Sequence, residues 1–465
     1  MTGFHGGRGR RALPRLACLG LALAVAGCDT DDLLEVEDPT FASPESLDNP
    51  AGLATLYAGA LGDFQIAYSG SGGDAYLSVV SLFTDEFHSS DTFTTRTATD
   101  QRDQFPAVQG NTSDAAYNRL QYARRSANEV AAAIARVSED GTADPRYPQV
   151  KALEGFAIIA LAEAFCSNIP LSESVGGIPG EPGQPLSTEQ LLTEAAARFD
   201  DALAASSASD VARVGKGRAL LNNGDFQAAA AAVAGVPTSF IHFVEHSDNS
   251  DRQFNPIFSL MANGRYSVSD QEGGNGLPYR SSGDPRIPWF EDPRGGFDNS
   301  IRLFIDLRYP DFGSDVVLAD GVEARLIEAE AALQAGDATE WLAILNALRA
   351  DVGNIMSARY DDYAANVPGP NNPTATLAPL TDPGSAAGRV DLMFSERAFW
   401  LYDTGHRLGD MRRLVRDYGR SAESVFPSGA YHKGSVYGPD VNLPLSFNET
   451  QNPNFDLEMC NTQQS

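Results

Sequence analysis

The sequence predicts a mainly α-helical protein, in which tetratricopeptide-like helix pairs form a superhelix that carries a large irregular insertion. Three observations predict it. Apolar stripes at helical spacing recur over residues 51–235 and 321–416, separated by short Gly- or Pro-containing connectors. Two of the helix pairs share one design. Between these regions, residues 236–320 lose the stripes and become rich in aromatic residues, Gly, Pro, Asp and Arg, which is typical of loops and short strands.

The first 27 residues are expected to be a lipoprotein signal peptide. Four arginines and no acidic residue accompany an apolar run, Leu16–Ala26, that is shorter than the roughly 20 residues needed to cross a bilayer. Small residues then precede Cys28. We expect processing to leave Cys28 as a lipid-modified first residue, followed by an acidic tether over residues 28–50. The alternative is an ordinary secretory signal with an incidental cysteine.

The chain is strongly acidic. Its formal net charge is -28, and loss of the predicted signal, which holds four arginines and no acid, takes it to -32. A surface of this sign repels phosphate backbones, which argues against nucleic-acid binding. Net charge favours solubility but says little about fold.

The early part of the chain combines helices with one irregular segment. Helical patterning starts near Ala51. Residues 68–112 are rich in Ser, Thr, Gly and Asp, and we expect an irregular surface loop that contains a short apolar island, Leu77–Phe83. Two long alanine-rich helices are then predicted, Ala115–Val137 and Pro148–Phe165.

The later helices are marked by their caps and periodicity. Ser187 and Gln190 form a capping box that opens a helix to about Ala205. The tail, 417–465, shows no helical pattern, and residues 366–388 are expected to form a second loop. Further predicted helices are Val211–Asn222, Asp225–Val233, Gly321–Ala335, Thr339–Asp351 and Asp391–Arg416, the last with a break near Thr404–Gly405.

Two segments repeat one helix-pair design. Lys216–Val233 and Glu323–Leu348 each contain a helix, a Gly-Asp step and a second helix rich in small residues. Gly224 and Gly336 stand where a helix ends in a left-handed residue. Small residues let the paired helices approach closely, as in tetratricopeptide stacks. The alternative is an alanine-rich bundle without a superhelical stack.

Several stretches occur in an order that resembles a known family. They are an acidic segment after the lipobox cysteine and four later motifs: CDTDDLLEVEDPT, ALEGFAIIALAEAFCSNIPL, LIEAEAALQAGD with LNALRA, ERAFWLYDTGHRLGDMRRL, and YHKGSVYGPDVNLPLSFNETQNPN. Together they resemble the SusD/RagB family of outer-membrane nutrient-binding lipoproteins over essentially the whole mature chain. The sequence departs from the family at Trp400 and Thr404, where acidic residues are common, and at Leu408, where an aromatic residue is common.

The resemblance implies an architecture and a role. Residues 51–465 would form a single SusD-like domain at the cell surface, anchored in the outer membrane and seated over a TonB-dependent, SusC-like transporter. Such a protein captures oligosaccharides or peptides, delivers them to the barrel, and needs neither a cofactor nor covalent chemistry. The alternatives are a helical-repeat scaffold lipoprotein that serves envelope assembly and a secreted hydrolase.

One motif resembles a zinc-peptidase signature. Residues Ile241–His246 contain H-x-x-E-H, which binds zinc only on a helix, where the two histidines would lie about 6 Å apart. The stretch follows Pro237 and is rich in Phe, Ile and Val, so we predict a strand. Strand spacing would place the histidines about 13 Å apart, too far for one zinc ion with bonds of about 2.1 Å.

The charged residues around His406 are expected to form structural ion pairs. His406 could in principle act as a base, but it lies among arginines and carboxylates on one predicted helix, which favours pairing. We interpret Glu396 and Arg397 in the same way.

The ligand face is predicted to come from residues 66–104 and 240–312. Tyr and Trp rings can stack on the C–H face of a sugar, and loops on a rigid scaffold commonly carry binding residues. The alternative is that these rings pack the insertion onto the helices. The candidate ligand-binding residues are Tyr68, Asp74, Tyr76, Tyr266, Tyr279, Arg280, Asp284 and Trp289.

Two cysteines remain after processing. Cys18 would leave with the signal and Cys28 would carry lipid, which leaves Cys166 and Cys460 in a compartment that permits disulfides. We predict that they pair and tie the tail to a helix. The alternative is two buried free thiols.

Overall fold

The computed structural model describes residues 47, 49–104, 112–175, 178–360 and 376–465. All of them belong to one compact unit that begins at Pro44. The predicted signal, Cys28 and the tether up to residue 46 lie outside the described residues. Within the described ranges, no helix combines the length and the apolar character needed to cross a membrane.

Helices dominate the fold, as predicted. In chain order they are α1 (Pro50–Tyr68), α2 (Tyr76–Phe83), α3 (Thr94–Asp100), α4 (Thr112–Val137), α5 (Arg146–Ala164), α6 (Thr188–Ala205), α7 (Asp210–Asn222), α8 (Phe226–Val233), α9 (Pro256–Ala262), α10 (Gly321–Gln334), α11 (Ala338–Ala350), α12 (Val352–Arg359), α13 (Ala386–Trp400), α14 (Arg407–Arg416) and α15 (Ala422–Val425).

Short strands form two-stranded antiparallel pairs. The strands are β1 (Phe87–Ser89), β2 (Ile169–Pro170), β3 (Ser174–Val175), β4 (Ile178–Pro179), β5 (Pro185–Leu186), β6 (Ile241–Val244), β7 (Tyr266–Val268), β8 (Trp289–Asp292), β9 (Leu303–Asp306) and β10 (Val316–Asp320). The pairs are β1 with β7, β2 with β5, β3 with β4, β6 with β10, and β8 with β9. The β1–β7 pair therefore joins the early segment to the insertion.

The helices pack as successive neighbours. Each of α4 to α7 contacts the next helix in the chain, α8 packs on α10, and α10 packs on α11. The close approach of α5 and α7 to Phe199 of α6 depends on glycine. A Cβ atom would lie 2.7 Å from the Phe199 ring at Gly155 and 2.2 Å from it at Gly215. Gly224 and Gly336 adopt φ angles of 82° and 80° after α7 and α10, which confirms the predicted left-handed helix ends.

The predicted break in the last long helix is also present. Residues of the predicted helix Asp391–Arg416 form two helices, α13 and α14, and Gly405 between them has a φ of 81°. The first of these helices begins five residues earlier than expected, at Ala386, where the side chain of Ser385 caps it.

The prediction of an irregular surface loop over 68–112 is wrong in part. The apolar island Leu77–Phe83 belongs to α2, in which every residue is buried, and Thr94–Asp100 forms α3. A two-turn helix that is buried on all sides has no amphipathic stripe, so its sequence is a plain apolar run that periodicity cannot assign.

A buried ion network joins α10, α13 and α14. Arg413 donates to both carboxylate oxygens of Glu330 and to Asp410, the last at 2.8 Å. Arg397 donates to the other oxygen of Asp410 at 2.7 Å. Burial alone would raise the pKa of Asp410, but Arg397 and Arg413 outweigh it and hold that pKa well below its ordinary value.

The predicted structural role of His406 and its neighbours is confirmed. The Nε2 atom of His406 lies 3.0 Å from Oε1 of Glu323, and both side chains are buried. Glu396 pairs with Arg286 at 2.8 Å and with Arg349 at 2.6 Å. These side chains are therefore paired with other residues of the protein.

The tail is tied to the end of α5. Cys166 and Cys460 form a disulfide, with Cα atoms 5.3 Å apart. Backbone hydrogen bonds link Leu443 with Ala164 at 2.8 Å and with Cys166 at 2.9 Å. The disulfide and these hydrogen bonds therefore hold this part of the tail against the end of α5.

We expect Glu330→Gln to lower the free energy of unfolding by about 3 kcal/mol, because the change leaves Asp410 as the single carboxylate opposite the buried charges of Arg397 and Arg413. Urea unfolding of the disulfide-intact protein measures this. The control is Glu328→Gln on the same helix, whose partner Arg325 lies 3.1 Å away at a partly exposed site, and which should change the value by less than about 1 kcal/mol. Equal losses in the two variants would contradict the network.

Glu86 supplies a pH-dependent contribution to stability. Its side chain is inaccessible, and its Oε1 atom accepts a hydrogen bond of 2.8 Å from the backbone N–H of Asp403. Burial raises the pKa of Glu86 from 4.5 to about 7, although that hydrogen bond opposes the shift. Because the folded pKa exceeds the unfolded one, the stabilisation is complete below the ordinary pKa and is lost as the pH rises through about 7.

We therefore expect the wild-type free energy of unfolding to fall between about pH 5 and pH 7 more steeply than that of Glu86→Gln, which cannot ionise. The difference in slope approaches about 1.4 kcal/mol per pH unit between the unfolded and the folded pKa of Glu86, and it vanishes above the folded pKa. Denaturant titrations across this pH range measure both slopes. Parallel slopes would show that Glu86 is not protonated in the folded protein near neutral pH.

Candidate functional site

Four of the sequence-predicted site residues are tyrosines that lie inside the protein. Tyr68, Tyr76, Tyr266 and Tyr279 are each at most 1% exposed. Their hydroxyls donate to acceptors within the protein: Thr404 O, Gly405 O, Asp74 Oδ1 and Asp85 Oδ1. The expectation that these four rings stack on a ligand is therefore wrong. They pack the early segment and the insertion onto the helices, which is the alternative given in the sequence analysis.

The other four candidates are partly accessible and are spread over the insertion and the early segment. Asp74 accepts from Arg96 as well as from Tyr266. Arg280 and Trp289 both pack on the ring of Phe304, while Asp284 pairs with Arg286. A ligand-binding role for Asp74, Arg280, Asp284 and Trp289 stays a prediction.

The H-x-x-E-H stretch forms a strand, as predicted. His242 lies in β6, and His246 follows it with its own partners: Nε2 is 2.8 Å from Ser69 Oγ, and Nδ1 is 3.0 Å from Gln253 O. The helical spacing that a zinc peptidase needs is absent from this stretch. In the ranges that the structure describes, no group of three or more His, Cys, Asp or Glu side chains is arranged to hold a metal ion.

Two exposed phenylalanine rings and an arginine form a surface feature that we call the aromatic platform. The side chains of Phe93 and Phe297 are 54% and 48% exposed. The guanidinium carbon of Arg265 lies 3.5 Å from the ring centre of Phe297 and 5.3 Å from that of Phe93. Large exposed rings beside a cation are typical of binding surfaces.

A buried carboxylate supports the platform from below. Asp91 pairs with Arg265 at 2.7 Å, forms a second ion pair with Arg96, and accepts a hydrogen bond of 3.0 Å from the N–H of Phe93. Burial would raise the pKa of Asp91, but the hydrogen bonds from Arg96 and Phe93 lower it below the ordinary value. The ionised carboxylate thus fixes both Phe93 and Arg265.

Close backbone approach places Phe297 beside the early segment. A Cβ at Gly296 would overlap the Ser90 side chain, so only glycine allows this contact. The N–H of Phe297 donates to Gly264 O at 2.8 Å, and that of Asp298 donates to Ser90 O at 3.2 Å. The platform therefore lies where residues 66–104 meet residues 240–312, the two segments that the sequence analysis singled out.

The platform offers both apolar faces and hydrogen-bond donors. Only Nη1 of Arg265 has a hydrogen-bond partner in the described part of the chain, so its other nitrogens are open to a ligand. Lys433 and Asp298 form an ion pair of 2.7 Å at the rim. Burial would raise the pKa of Asp298, but Lys433 and Ser300 bring it to about 2.

Sequence reasoning did not select Phe93 or Phe297. It favoured Tyr and Trp because their rings can stack on a sugar, and in this protein the four tyrosine rings are buried, with their hydroxyls in internal hydrogen bonds. A usable signal was present: Phe93 stands alone among Asp and Thr, and Phe297 stands between glycines and Asp-Asn. A single large apolar residue within a polar turn has no apolar sequence neighbours to pack against, which indicates an exposed ring.

Comparison with known proteins identifies the fold. No protein-family model matches the sequence, and no curated protein matches it. Among solved structures, B. fragilis NanU superimposes with a TM-score of 0.59 at 11% identity, over 90% of this chain and 98% of that one. A SusD/RagB family protein from Bacteroides thetaiotaomicron gives 0.58 at 14% identity, over 85% of this chain and 93% of that one.

A third similar structure is described as a SusD-like carbohydrate-binding protein from Bacteroides vulgatus. It gives a TM-score of 0.55 at 16% identity, over 80% of this chain and 83% of that one. At such identities the likeness concerns the path of the backbone rather than particular side chains. The chain therefore has the fold of the SusD/RagB proteins.

Proposed function

We propose that this chain is a lipid-anchored binding protein of the cell surface, which captures oligosaccharides at the aromatic platform and delivers them to a TonB-dependent outer-membrane transporter. The observation that carries the proposal is the exposed Phe93–Arg265–Phe297 arrangement on a SusD/RagB-type fold. Solved structures of this fold include proteins described as carbohydrate binding and sugar binding.

The chemistry of the platform suits a sugar. A pyranose ring presents flat C–H faces that pack on the Phe rings, and its hydroxyls accept hydrogen bonds from the open nitrogens of Arg265. Asp91 and the close Gly296 contact hold these groups in place before a ligand arrives, which lowers the entropic cost of binding.

The carboxylates at the platform favour binding over hydrolysis. A glycosidase needs a carboxylic acid that stays protonated near neutral pH. Asp91 and Asp298 are instead held in their ionised form by Arg96, Phe93 N–H, Lys433 and Ser300. They are suited to fixing cations and loops, which supports a role without covalent chemistry.

The anchor and the transporter partner rest on the sequence. Cys28 follows a signal-like segment, and its lipidation would hold the protein at the membrane through its acidic tether. The SusD/RagB-type fold supports the proposed pairing with a transporter barrel, because proteins of this family act as a lid over such a barrel.

We expect Phe93→Ala and Phe297→Ala each to weaken oligosaccharide binding at least tenfold, because each removes a stacking face. A panel of soluble oligosaccharides and peptides is first screened, and the best ligand is titrated by calorimetry. Phe447→Ala is the control, since this ring is 38% exposed but lies in the tail. Unchanged affinity in both platform variants would refute the site, and preference for peptides would refute the ligand class.

We expect Cys28→Ala to release the protein from the membrane fraction, because no lipid can then be attached. Cys18→Ala is the matched control, since this cysteine is removed with the predicted signal. In mild detergent, the wild-type protein should co-purify with a large barrel protein. Membrane retention of the Cys28 variant would count against the anchor, and the absence of a barrel partner would favour the scaffold alternative.

A further inference from the structure

A polar cavity of about 440 Å³ lies beside the disulfide. It is bordered by the start of α6, the ends of α7 and α14, and the tail. A smaller cavity shares several of its lining residues. The charged side chains lining the larger one are Arg412, Arg416, Glu189 and Asp417, and its neutral polar lining includes Thr188 and Asn222.

Arg412 is the unusual member of this lining. Its side chain is only 2% exposed. Its Nη1 atom donates to the backbone carbonyls of Ala162, Glu163 and Phe165 at 2.8, 2.8 and 3.1 Å. Its Nε atom is buried without a hydrogen-bond partner, and within the described ranges no carboxylate forms an ion pair with it.

The other buried arginines nearby are paired. Arg397, Arg407 and Arg413 each bind at least one carboxylate, namely Asp410, Asp85 and Glu330 respectively. A buried charge without a counter-ion costs several kcal/mol in general. The carbonyl end of α5 supplies only about half an elementary charge toward Arg412. Arg412 therefore stands beside the cavity as a buried cation that lacks a full counter-charge.

Two nearby carboxylates, Glu163 and Asp417, already pair with other cations, and Glu189 lies exposed in the first turn of α6. Glu163 binds Arg218 and Asn222. Arg416 forms its ion pair with Asp417 at 2.8 Å. Burial and the neighbouring Arg416 lower the pKa of Arg412 to about 9, as expected for a cation that lacks a full counter-charge.

A helix start adds to the positive potential. The helix α6 has 18 residues, and Thr188 at its first position lines both cavities. The N–H groups of Thr188 and Gln190 already donate to Ser167 and Ser187, so the helix dipole, rather than free N–H groups, favours an anion here. Amide side chains of Asn222 and Asn461 add neutral hydrogen-bond donors and acceptors to the wall.

We propose that this cavity binds a small oxyanion, with Arg412 as its cationic partner and the start of α6 facing it. Phosphate, sulfate and the carboxylate of an acidic sugar share the required chemistry of charged, hydrogen-bond-accepting oxygens. The site is separate from the aromatic platform, so it does not depend on the proposed oligosaccharide-binding function.

The test titrates the disulfide-intact protein with inorganic phosphate, sulfate and glucuronate, followed by thermal unfolding and calorimetry at constant ionic strength. Sodium chloride is the control. We expect saturable stabilisation by at least one oxyanion and none by sodium chloride. Response to phosphate and sulfate alone would assign a tetrahedral anion, and response to glucuronate would assign a sugar carboxylate. Both outcomes support the site, whereas no saturable response overturns it.

Substitutions locate the bound anion. We expect Asn461→Asp, which adds a negative charge to the wall at constant shape, to weaken binding at least tenfold. Asn249→Asp is the matched control, because Asn249 is exposed and belongs to the insertion. Arg412→Gln should abolish binding, and Asn461→Asp keeps the test decisive if that variant fails to fold. Equal affinity in the two Asn→Asp variants would overturn the assignment.

Binding at the cavity and binding at the platform are distinguished by one further variant. Phe93→Ala should leave oxyanion binding unchanged while it weakens oligosaccharide binding. Loss of oxyanion binding in this variant would place the anion at the platform and overturn the cavity site.

Discussion

Ion pairs between buried arginines and carboxylates hold the parts of this fold in register. Arg407 binds Asp85, which ties α14 to the segment after α2. Arg286 of the insertion binds Glu396 of α13. Such pairs add little net stability, because desolvation offsets their attraction, but any packing that separates them leaves a charge buried alone. They therefore penalise alternative arrangements of the insertion on the helices.

That constraint is what makes the aromatic platform a defined surface. Phe93 and Phe297 come from segments about 200 residues apart, and neither has a hydrophobic core to position it. Their placement follows from the β1–β7 pair, from the close contact at Gly296 and from the Asp91 carboxylate beneath them. Loops that are fixed in this way on a stiff helical stack can form a preorganised binding surface, although their sequence is typical of flexible segments.

The two proposed sites use charge in opposite ways. At the platform, Asp91 neutralises Arg265 in part and leaves some of its donors open to an uncharged ligand. At the cavity beside the disulfide, Arg412 has carbonyl partners alone, so its charge remains available. One chain can thus hold a site for neutral hydroxyl-rich ligands and a separate site for an anion.

The sequence by itself determined the longer helices, the glycine ends at Gly224 and Gly336, the break at Gly405 and the strand at His242, because each depends on local periodicity or on the backbone freedom of one residue. It also indicated which two segments meet at the platform. Only the tertiary structure decided that Tyr68 is buried and Phe93 exposed. Burial depends on contacts between residues far apart in the chain, and local patterns cannot record those contacts.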